Sequence, residues 1–348
     1  MDGIQLGNAV LDFGDSLDAY RRWEPPVCII SDGPYGLGKY PGEPNSVKAL
    51  PELYEPHIAA WAMYSRPDTT LWFWNSEHGW ATVHPVLESH GWVYEETVVW
   101  DKGISHVAGR CNSTTIRGVP VVTELAVRYT REPIMPGTDA VRHHVKDWLR
   151  AEWQRSGLPM AQANEACGVR SAATRKWLTA DHCWYFPPLE AVAAMADWCN
   201  RFGQPTDRPY FSKEDTGSLS SADRESMRRD VIAQQRSVMP PRAKWHHIHG
   251  LSNVWTVPAV RGAERFKAGG CAVSHANQKP LSLMARQIEL STDPGDIVWE
   301  PFGGLCSASV AAVRAGRKAY ACEMNSDYYA IAAKRLQAEI GGAVRMAA

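Results

Sequence analysis

Two groups of residues at opposite ends of this sequence have the types and spacing to do chemistry. Asp32-Gly33-Pro34-Tyr35 puts an acid, backbone carbonyls and an aromatic ring on four consecutive residues. The apolar, β-prone run 27–30 just before it reads as a buried strand. Glycine and proline then stop regular pairing. The four residues are therefore delivered at a strand's carboxyl end, which is where open α/β sheets bind ligands. The second group is Pro301-Phe302-Gly303-Gly304, with Glu323 about twenty residues further on. Glycines let the backbone approach a ligand, and an acid at the end of the next strand can accept ribose hydroxyls, so this unit can hold a nucleoside. A dinucleotide is compatible with it too, but the run lacks the G-x-G-x-x-G spacing.

The elements that must position these groups follow from hydrophobic patterning. Strands are predicted over 27–30, 70–75, 94–100, 119–129 and 253–258, and again at 296–300 and 318–323. Helices are predicted over 16–20 with Ser16 as the cap, over 54–65 and 80–90, up to Leu290, after the glycines to Ala312, and over 328–339. The alternation predicts a doubly wound α/β sheet, with Trp72, Trp74 and Trp100 packing its core. Residues 36–55 are rich in glycine, proline and charge and read as a mobile loop beside the first group.

The pattern changes in the middle. An amphipathic helix is expected over 141–156, and residues 158–178 read as helix, turn at Gly168, and a second helix capped by Ser171. That order is one in which a second helix enters the DNA major groove, with Arg170, Ser171, Thr174, Arg175 and Lys176 facing outward. An ordinary helical hairpin with a solvated basic face fits it equally. Helices over 189–202 and 222–235 complete the segment. The division expected is 1–136, an inserted helical region 137–245, and 246–348.

Composition bounds the function. With 348 residues, 45% of them hydrophobic, the chain can bury a large core. A formal charge of -1 excludes the strongly basic class, so nucleic-acid binding must come from a local patch. The eight cysteines show no C-x-x-C pair and no zinc spacing, and His246, His247 and His249 lack partners at metal spacing, so no metal is expected. There is no basic segment followed by an apolar run at the start and no apolar run long enough to span a bilayer, so a cytoplasmic protein with reduced thiols and no membrane partner is expected. The fifteen tryptophans are not explained by composition.

The motifs together resemble a known family. Asp32-Gly33-Pro34-Tyr35 resembles the D-P-P-Y motif, and Glu300-Pro301-Phe302-Gly303-Gly304 the D-P-F-x-G loop, of S-adenosylmethionine-dependent DNA amino-methyltransferases. His275-Ala276-Asn277-Gln278-Lys279-Pro280 is similar to their H-x-x-Q-K-P element, and Glu323 with the helix after it to their ribose-binding strand and helix. The order, catalytic motif, long insertion, cofactor loop, is that of the β-type members. Two departures stand out: Gly33 replaces a proline, and Cys306 replaces a second glycine, narrowing the room beside the cofactor's methionine moiety.

The resemblance implies a Rossmann-like methyltransferase sheet with a helical inserted recognition domain. It assigns Asp32, Gly33, Pro34 and Tyr35 to catalysis, and Lys279, Pro301, Phe302, Gly303, Gly304 and Glu323 to S-adenosyl-L-methionine. An exocyclic amine is a poor nucleophile because its lone pair is delocalised; Asp32 and the Gly33 carbonyl would accept its hydrogens and stabilise the developing positive charge. Tyr35 would stack on a base flipped out of double-stranded DNA. Adenine N6 is the target implied by the aspartate that opens the motif, with cytosine N4 as the alternative. A DNA-binding regulator that has lost turnover, and methylation of RNA or a protein amide, are further readings. A homodimer and a cognate restriction endonuclease are the partners such a protein would take.

Overall fold

A computed structural model describes residues 3–39, 42–107, 116–131, 134–136, 142–170, 173–178, 187–212, 242–260, 267–268, 271–272 and 278–346. The strands are β1 (Ile4–Leu6), β2 (Ala9–Phe13), β3 (Cys28–Ser31), β4 (Thr70–Asn75), β5 (Trp92–Asp101), β6 (Thr123–Arg131), β7 (Ile134–Pro136), β8 (Arg142–His144), β9 (Val254–Thr256), β10 (Lys267–Ala268), β11 (Cys271–Ala272), β12 (Ile297–Glu300) and β13 (Lys318–Glu323). The helices are α1 (Ser16–Ala19), α2 (Leu50–Tyr64), α3 (Glu77–Ser89), α4 (Val145–Arg155), α5 (Gln162–Ala166), α6 (Ala173–Trp177), α7 (Leu189–Phe202), α8 (Leu281–Ser291), α9 (Ser307–Arg314) and α10 (Ser326–Met346). Contacts divide the chain into two compact units, Met1–Arg131 with Ala243–Ala348, and Glu132–Arg242.

The first unit is built on a nine-stranded sheet ordered β1-β2-β13-β12-β3-β4-β6-β5-β9. It is mostly parallel, as expected: β2, β13, β12, β3 and β4 run parallel to one another and β9 parallel to β5, while β1 is antiparallel to β2 and β6 antiparallel to both β4 and β5. From β3 the chain crosses through α2 to β4 on one side, and from β12 it crosses through α9 to β13 on the other. The strand order therefore reverses between β3 and β12, and their carboxyl ends frame a topological switch point.

Side chains alternate across the strands. Leu71 and Phe73 of β4 join a core with α2 and α3, whereas Trp72 and Trp74 join one with α8 and α9. The tryptophan excess is core material: Trp61, Trp72, Trp74, Trp92, Trp255 and Trp299 are fully buried in the two layers. Five of these indoles donate to specific partners, among them Trp72 Nε1 to Ser291 Oγ at 2.9 Å and Trp74 Nε1 to Gln287 Oε1 at 3.1 Å, whereas Trp92 Nε1 is buried without one among the described residues. Trp299 stacks on Tyr20 with centroids 5.3 Å apart, a geometry that adds about 0.5–1.5 kcal/mol beyond burial.

Several local expectations change. Asp15, not Ser16, caps α1, its carboxylate accepting from Leu17 N at 2.9 Å. The segment read as a mobile loop carries ordered structure. The Glu43 carboxylate accepts from the backbone amides of Tyr35 at 2.8 Å and Lys39 at 2.8 Å, and α2 already begins at Leu50 with Pro51 in its first turn. β6 starts at Thr123, four residues later than expected, which places Thr123 and Glu124 at the sheet's rim. No helix among the described residues is long and apolar enough to cross a membrane.

The second unit has its own core of Trp148, Leu149, Trp153, Trp177, Val192 and Met195. Glu152 is buried there and paired with Arg155 at 2.7 Å and Arg208 at 2.5 Å, and it accepts from Phe211 N at 2.8 Å. The segment expected as helix, turn and helix is two short helices, α5 and α6, with Gly168 left-handed (φ 62°) between them. Thr174 does not face outward. It is buried and its hydroxyl donates to Asn164 across the hairpin, because the small polar side chain closes α6 onto α5. Arg170, Arg175 and Lys176 are exposed. Ser171, His275 and the expected helix over 222–235 lie outside the described residues.

Candidate active site

All the residues assigned from the motifs to catalysis and cofactor binding meet on one cavity of about 630 Å³ in the first unit. Asp32, Gly33, Pro34 and Tyr35 leave the carboxyl end of β3 on one side. Pro301, Phe302, Gly303 and Gly304 leave β12 on the other, and Glu323 closes β13. The cavity thus occupies the switch point.

The β3 loop is held from beneath. The Pro34 carbonyl accepts from Tyr54 Oη at 2.9 Å and Asn75 Nδ2 at 3.1 Å. Gly33 departs from the resembling motif for a reason of space. A β-carbon there would lie 2.6 Å from the Phe302 ring and 2.6 Å from the Tyr54 hydroxyl. Phe302 itself is wedged against His57, with ring centroids 4.9 Å apart. Burial lowers His57 to about 4, and its Nδ1 lies 2.9 Å from the Tyr20 hydroxyl.

The loop after β12 makes a close backbone crossing. Gly303 N donates to the Cys322 carbonyl at 2.8 Å, and a β-carbon on Gly303 would sit 2.9 Å from that oxygen. Cys306 takes the left-handed conformation (φ 55°) that usually selects glycine. Its side chain is fully buried in the core and does not line the cavity, which corrects the expectation that it narrows the cofactor's room. Glu300 turns away from solvent to cap α9, accepting from Ala308 N at 3.0 Å, Ser309 N at 2.7 Å and Ser309 Oγ at 2.6 Å. Burial nonetheless pushes its carboxyl up to about 7. Glu323 is fixed by the amides of Gly304 at 2.6 Å and Asn325 at 2.7 Å, with burial raising it above the usual carboxylate range. A glycine crossing, an aromatic ring and a carboxylate fixed by backbone amides suit a nucleoside carrying a ribose.

The resemblance assigns Lys279 to the cofactor, but its ammonium meets the other motif. Lys279 Nζ lies 2.6 Å from Asp32 Oδ1, 3.1 Å from Tyr35 Oη and 3.1 Å from Glu124 Oε2. Lys279 stands just before Pro280, the residue that caps α8, and its ammonium lies 5.2 Å from the Trp74 ring centroid and 6.0 Å from that of Trp100. Glu124 and Lys102 were not singled out from the sequence. Because β6 runs antiparallel, its second residue lies at the same rim as the carboxyl ends of β4 and β5, with Glu124 opposite Trp100. Lys102 then pairs with the other oxygen of Glu124. The signal available was a lone acid opening an apolar strand and a lysine just past the end of its neighbour.

The electrostatics follow from this packing. Burial opposes the Glu124 carboxylate, but the Lys279 and Lys102 ammoniums outweigh it and hold the acid at about 2. Burial also opposes the Lys279 charge, and Asp32 and Glu124 together raise it above an ordinary lysine. Burial pushes Asp32 up, with Lys279 acting against the shift and Glu124 adding to it. Asp32 keeps 19% of its side chain exposed and Lys279 only 2%, so a ligand in the cavity can reach the acid but not the cation.

Comparison with known proteins gives the following. A family model described as DNA methylase (N6_N4_Mtase) matches residues 222–334. DNA adenine methyltransferase YhdJ of Escherichia coli (strain K12) is 35% identical over 97 residues, 28% of this chain and 31% of that protein. Type II methyltransferase M2.DpnII of Streptococcus pneumoniae is 36% identical over 89 residues, 26% of this chain and 31% of that protein. The alignments thus span about a third of these curated relatives. Among solved structures, PvuII DNA methyltransferase (cytosine-N4-specific) superposes with a TM-score of 0.51 at 12% identity, covering 97% of this chain and 93% of that one. The M1.HpyAVI–SAM complex does so at 0.50 and 14% identity, covering 94% and 98%. At such identities the structural likeness is one of fold.

Proposed function

We propose, from the premise that this chain belongs to the N6/N4 DNA amino-methyltransferase family, that it transfers a methyl group from S-adenosylmethionine to an exocyclic amine of a base in DNA, adenine N6 in preference to cytosine N4. The observation that carries the reading is the single cavity on which both motifs converge. Bound there, the cofactor would supply a methyl already activated by its sulfonium, so attack can be direct. Phe302, Gly303, Gly304 and Glu323 would hold it, with the Glu323 carboxylate accepting the ribose hydroxyls. Asp32 would accept a hydrogen of the amine and stabilise the positive charge that grows on nitrogen as it attacks. The Gly33 carbonyl would take the second hydrogen. Tyr35 would present its ring to a base extruded from the duplex, since the amine cannot reach a pocket this deep from within the stack.

The preference for adenine is supported by the adenine specificity in the name of the Escherichia coli relative. It is also supported by Ser31, which is fully buried and absent from the cavity wall, leaving Asp32 as the acceptor. Recognition of a DNA sequence by the second unit, through Arg170, Arg175 and Lys176, is the complementary part of the reading. Such an enzyme would act in the cytoplasm, where a homodimer or a cognate restriction endonuclease would be its protein partners.

The test is to incubate the protein with S-adenosylmethionine and duplex DNA, digest the DNA, and identify the modified nucleoside by mass. N6-methyl-2′-deoxyadenosine is expected. N4-methylcytosine would transfer the reading to the alternative, and cofactor binding with no modified base would leave the DNA-binding regulator. Asp32→Ala should lower the rate by about 10²–10³-fold while cofactor affinity stays within a few-fold, as for other losses of a preorganised partner.

A further inference from the structure

Lys279, as placed, obstructs the residue it neighbours. Its ammonium donates to Asp32 Oδ1 at 2.6 Å, which draws electron density from the acid that must accept the amine. A cation this deeply buried is out of reach of water and is costly to leave without an anionic partner, so it can move only to another partner. One is in reach. Glu124 Oε1 is occupied by Lys102, while Oε2 lies 3.1 Å from the same ammonium.

Tyr35 links the two acids. Its hydroxyl accepts from Lys279 at 3.1 Å and has one proton to give, with Asp32 Oδ1 at 3.1 Å and Glu124 Oε2 at 3.0 Å as competing acceptors. The arrangement therefore has two positions. In one, Lys279 and the Tyr35 hydroxyl both serve Asp32. In the other, both serve Glu124, and Asp32 is free to face the cavity.

We propose that Glu124 is a positioning residue that receives Lys279 and the Tyr35 proton when a base amine arrives, unclasping Asp32 for the reaction. The inference rests on the methyl-transfer reading and deepens it. Glu124 stays anionic at any physiological pH because two ammoniums flank it, so the receiving site is permanently ready. The charged and titratable groups around Asp32 are Lys279, Tyr35 and Glu124, with Lys102, Tyr54 and Glu43 behind them.

The experiment compares wild type, Glu124→Gln, Glu124→Asp, Lys279→Met and the Glu124→Gln/Lys279→Met double variant. Without its receiving anion, Lys279 stays on Asp32. Glu124→Gln should therefore lower kcat by about 10²-fold, the scale of one misplaced group beside the chemistry, with cofactor Kd unchanged. The acid limb of its pH–rate profile should move to lower pH, since Asp32 loses a neighbouring anion and keeps the cation. Glu124→Asp should recover most of the rate. In the Lys279→Met background the same substitution should cost far less, because only the Tyr35 proton is left to redirect, and this comparison decides the matter even where Glu124→Gln alone fails to fold. Independently of turnover, the ¹³C carboxyl signal of Asp32, identified by its loss in Asp32→Asn, should titrate at lower pH in Glu124→Gln. If the wild type transfers no methyl, the function reading fails while this titration still reports on the clasp. An unchanged acid limb and unchanged Asp32 titration, or an equal loss with and without Lys279, would overturn the proposal.

Discussion

Restoring the proline that the resembling motif carries at position 33 should damage this protein. Even a single β-carbon there would meet Phe302 Cδ2 and Tyr54 Oη at 2.6 Å and Phe302 Cε2 at 2.8 Å. An ordinary carbon contact is about 3.5 Å, so the overlap is roughly 0.9 Å against two different side chains. Neither gives way freely. Tyr54 is fully buried, packs edge-on against Phe73 at 5.0 Å and donates to the Pro34 carbonyl. Phe302 is held by His57 and by Tyr54 itself. Overpacking of this kind costs about 1–3 kcal/mol. With roughly 2–4 °C of melting temperature per kcal/mol in domains of 150–250 residues, Gly33→Ala should melt about 2–12 °C low, and Gly33→Pro at least as low. If Phe302 yields instead of the backbone, cofactor affinity falls as well. Thermal melts with and without S-adenosylmethionine read both quantities. A Gly33→Pro protein that melts and binds like wild type would show that the space is open and the argument from sterics is wrong.

Glu323→Ala should weaken S-adenosylmethionine binding by about 10-fold or more, since hydrogen bonds to a charged acceptor contribute about 1.5–3 kcal/mol; calorimetry with unchanged affinity would remove Glu323 from the cofactor site. Glu300 is an acid raised by burial to about 7, so the native state holds its proton more tightly than the unfolded chain, and stability should fall as pH rises from about 4.5 to 7, by about 3 kcal/mol in all. Glu300→Gln should flatten that slope in denaturant titrations, and an identical slope would mean the acid is ionised throughout. In the second unit, Arg175→Ala should cost about 1–3 kcal/mol on a cognate duplex if it reads a base, whereas Lys176→Ala should weaken all sequences and reduce the salt slope. Wild-type discrimination and slopes in both would make the hairpin scaffolding.

The sheet and both motif loops were legible because their determinants are local. Apolar runs ending in Gly-Pro or Gly-Gly announce a strand and the place where it stops. What was not legible depended on which strands become neighbours. Glu124 looked like an interior residue of a strand drawn four residues too early, and only antiparallel pairing of β6 brings it to the rim beside Lys102 and Lys279. Thr174 misled for a related reason: a threonine between basic residues reads as a polar face, but five-residue helices must bury something, and it closes the hairpin. Cys306 shows the opposite case, where a residue type disfavoured in left-handed backbone is kept because its side chain fills the core.

The strand order has a consequence for how the protein is made. β3 carries the Asp32 loop, yet its partner β12 pairs Val298 with Cys28, and β2 finds its neighbour β13 with Ala319 opposite Ala9. On a ribosome adding about 5–20 residues per second, the loop at Asp32 emerges roughly 13–53 s before the strand that completes its cavity. During that interval β2 can pair only with β1 and β3 only with β4, and the other edge of each has no native partner. Chaperone dependence and recovery from denaturant should accordingly be set by closure of these long-range strand pairs, the slow step expected of non-local sheets. A chain split in the second unit, with both pieces expressed together, would have to assemble its central sheet from two molecules before any chemistry began.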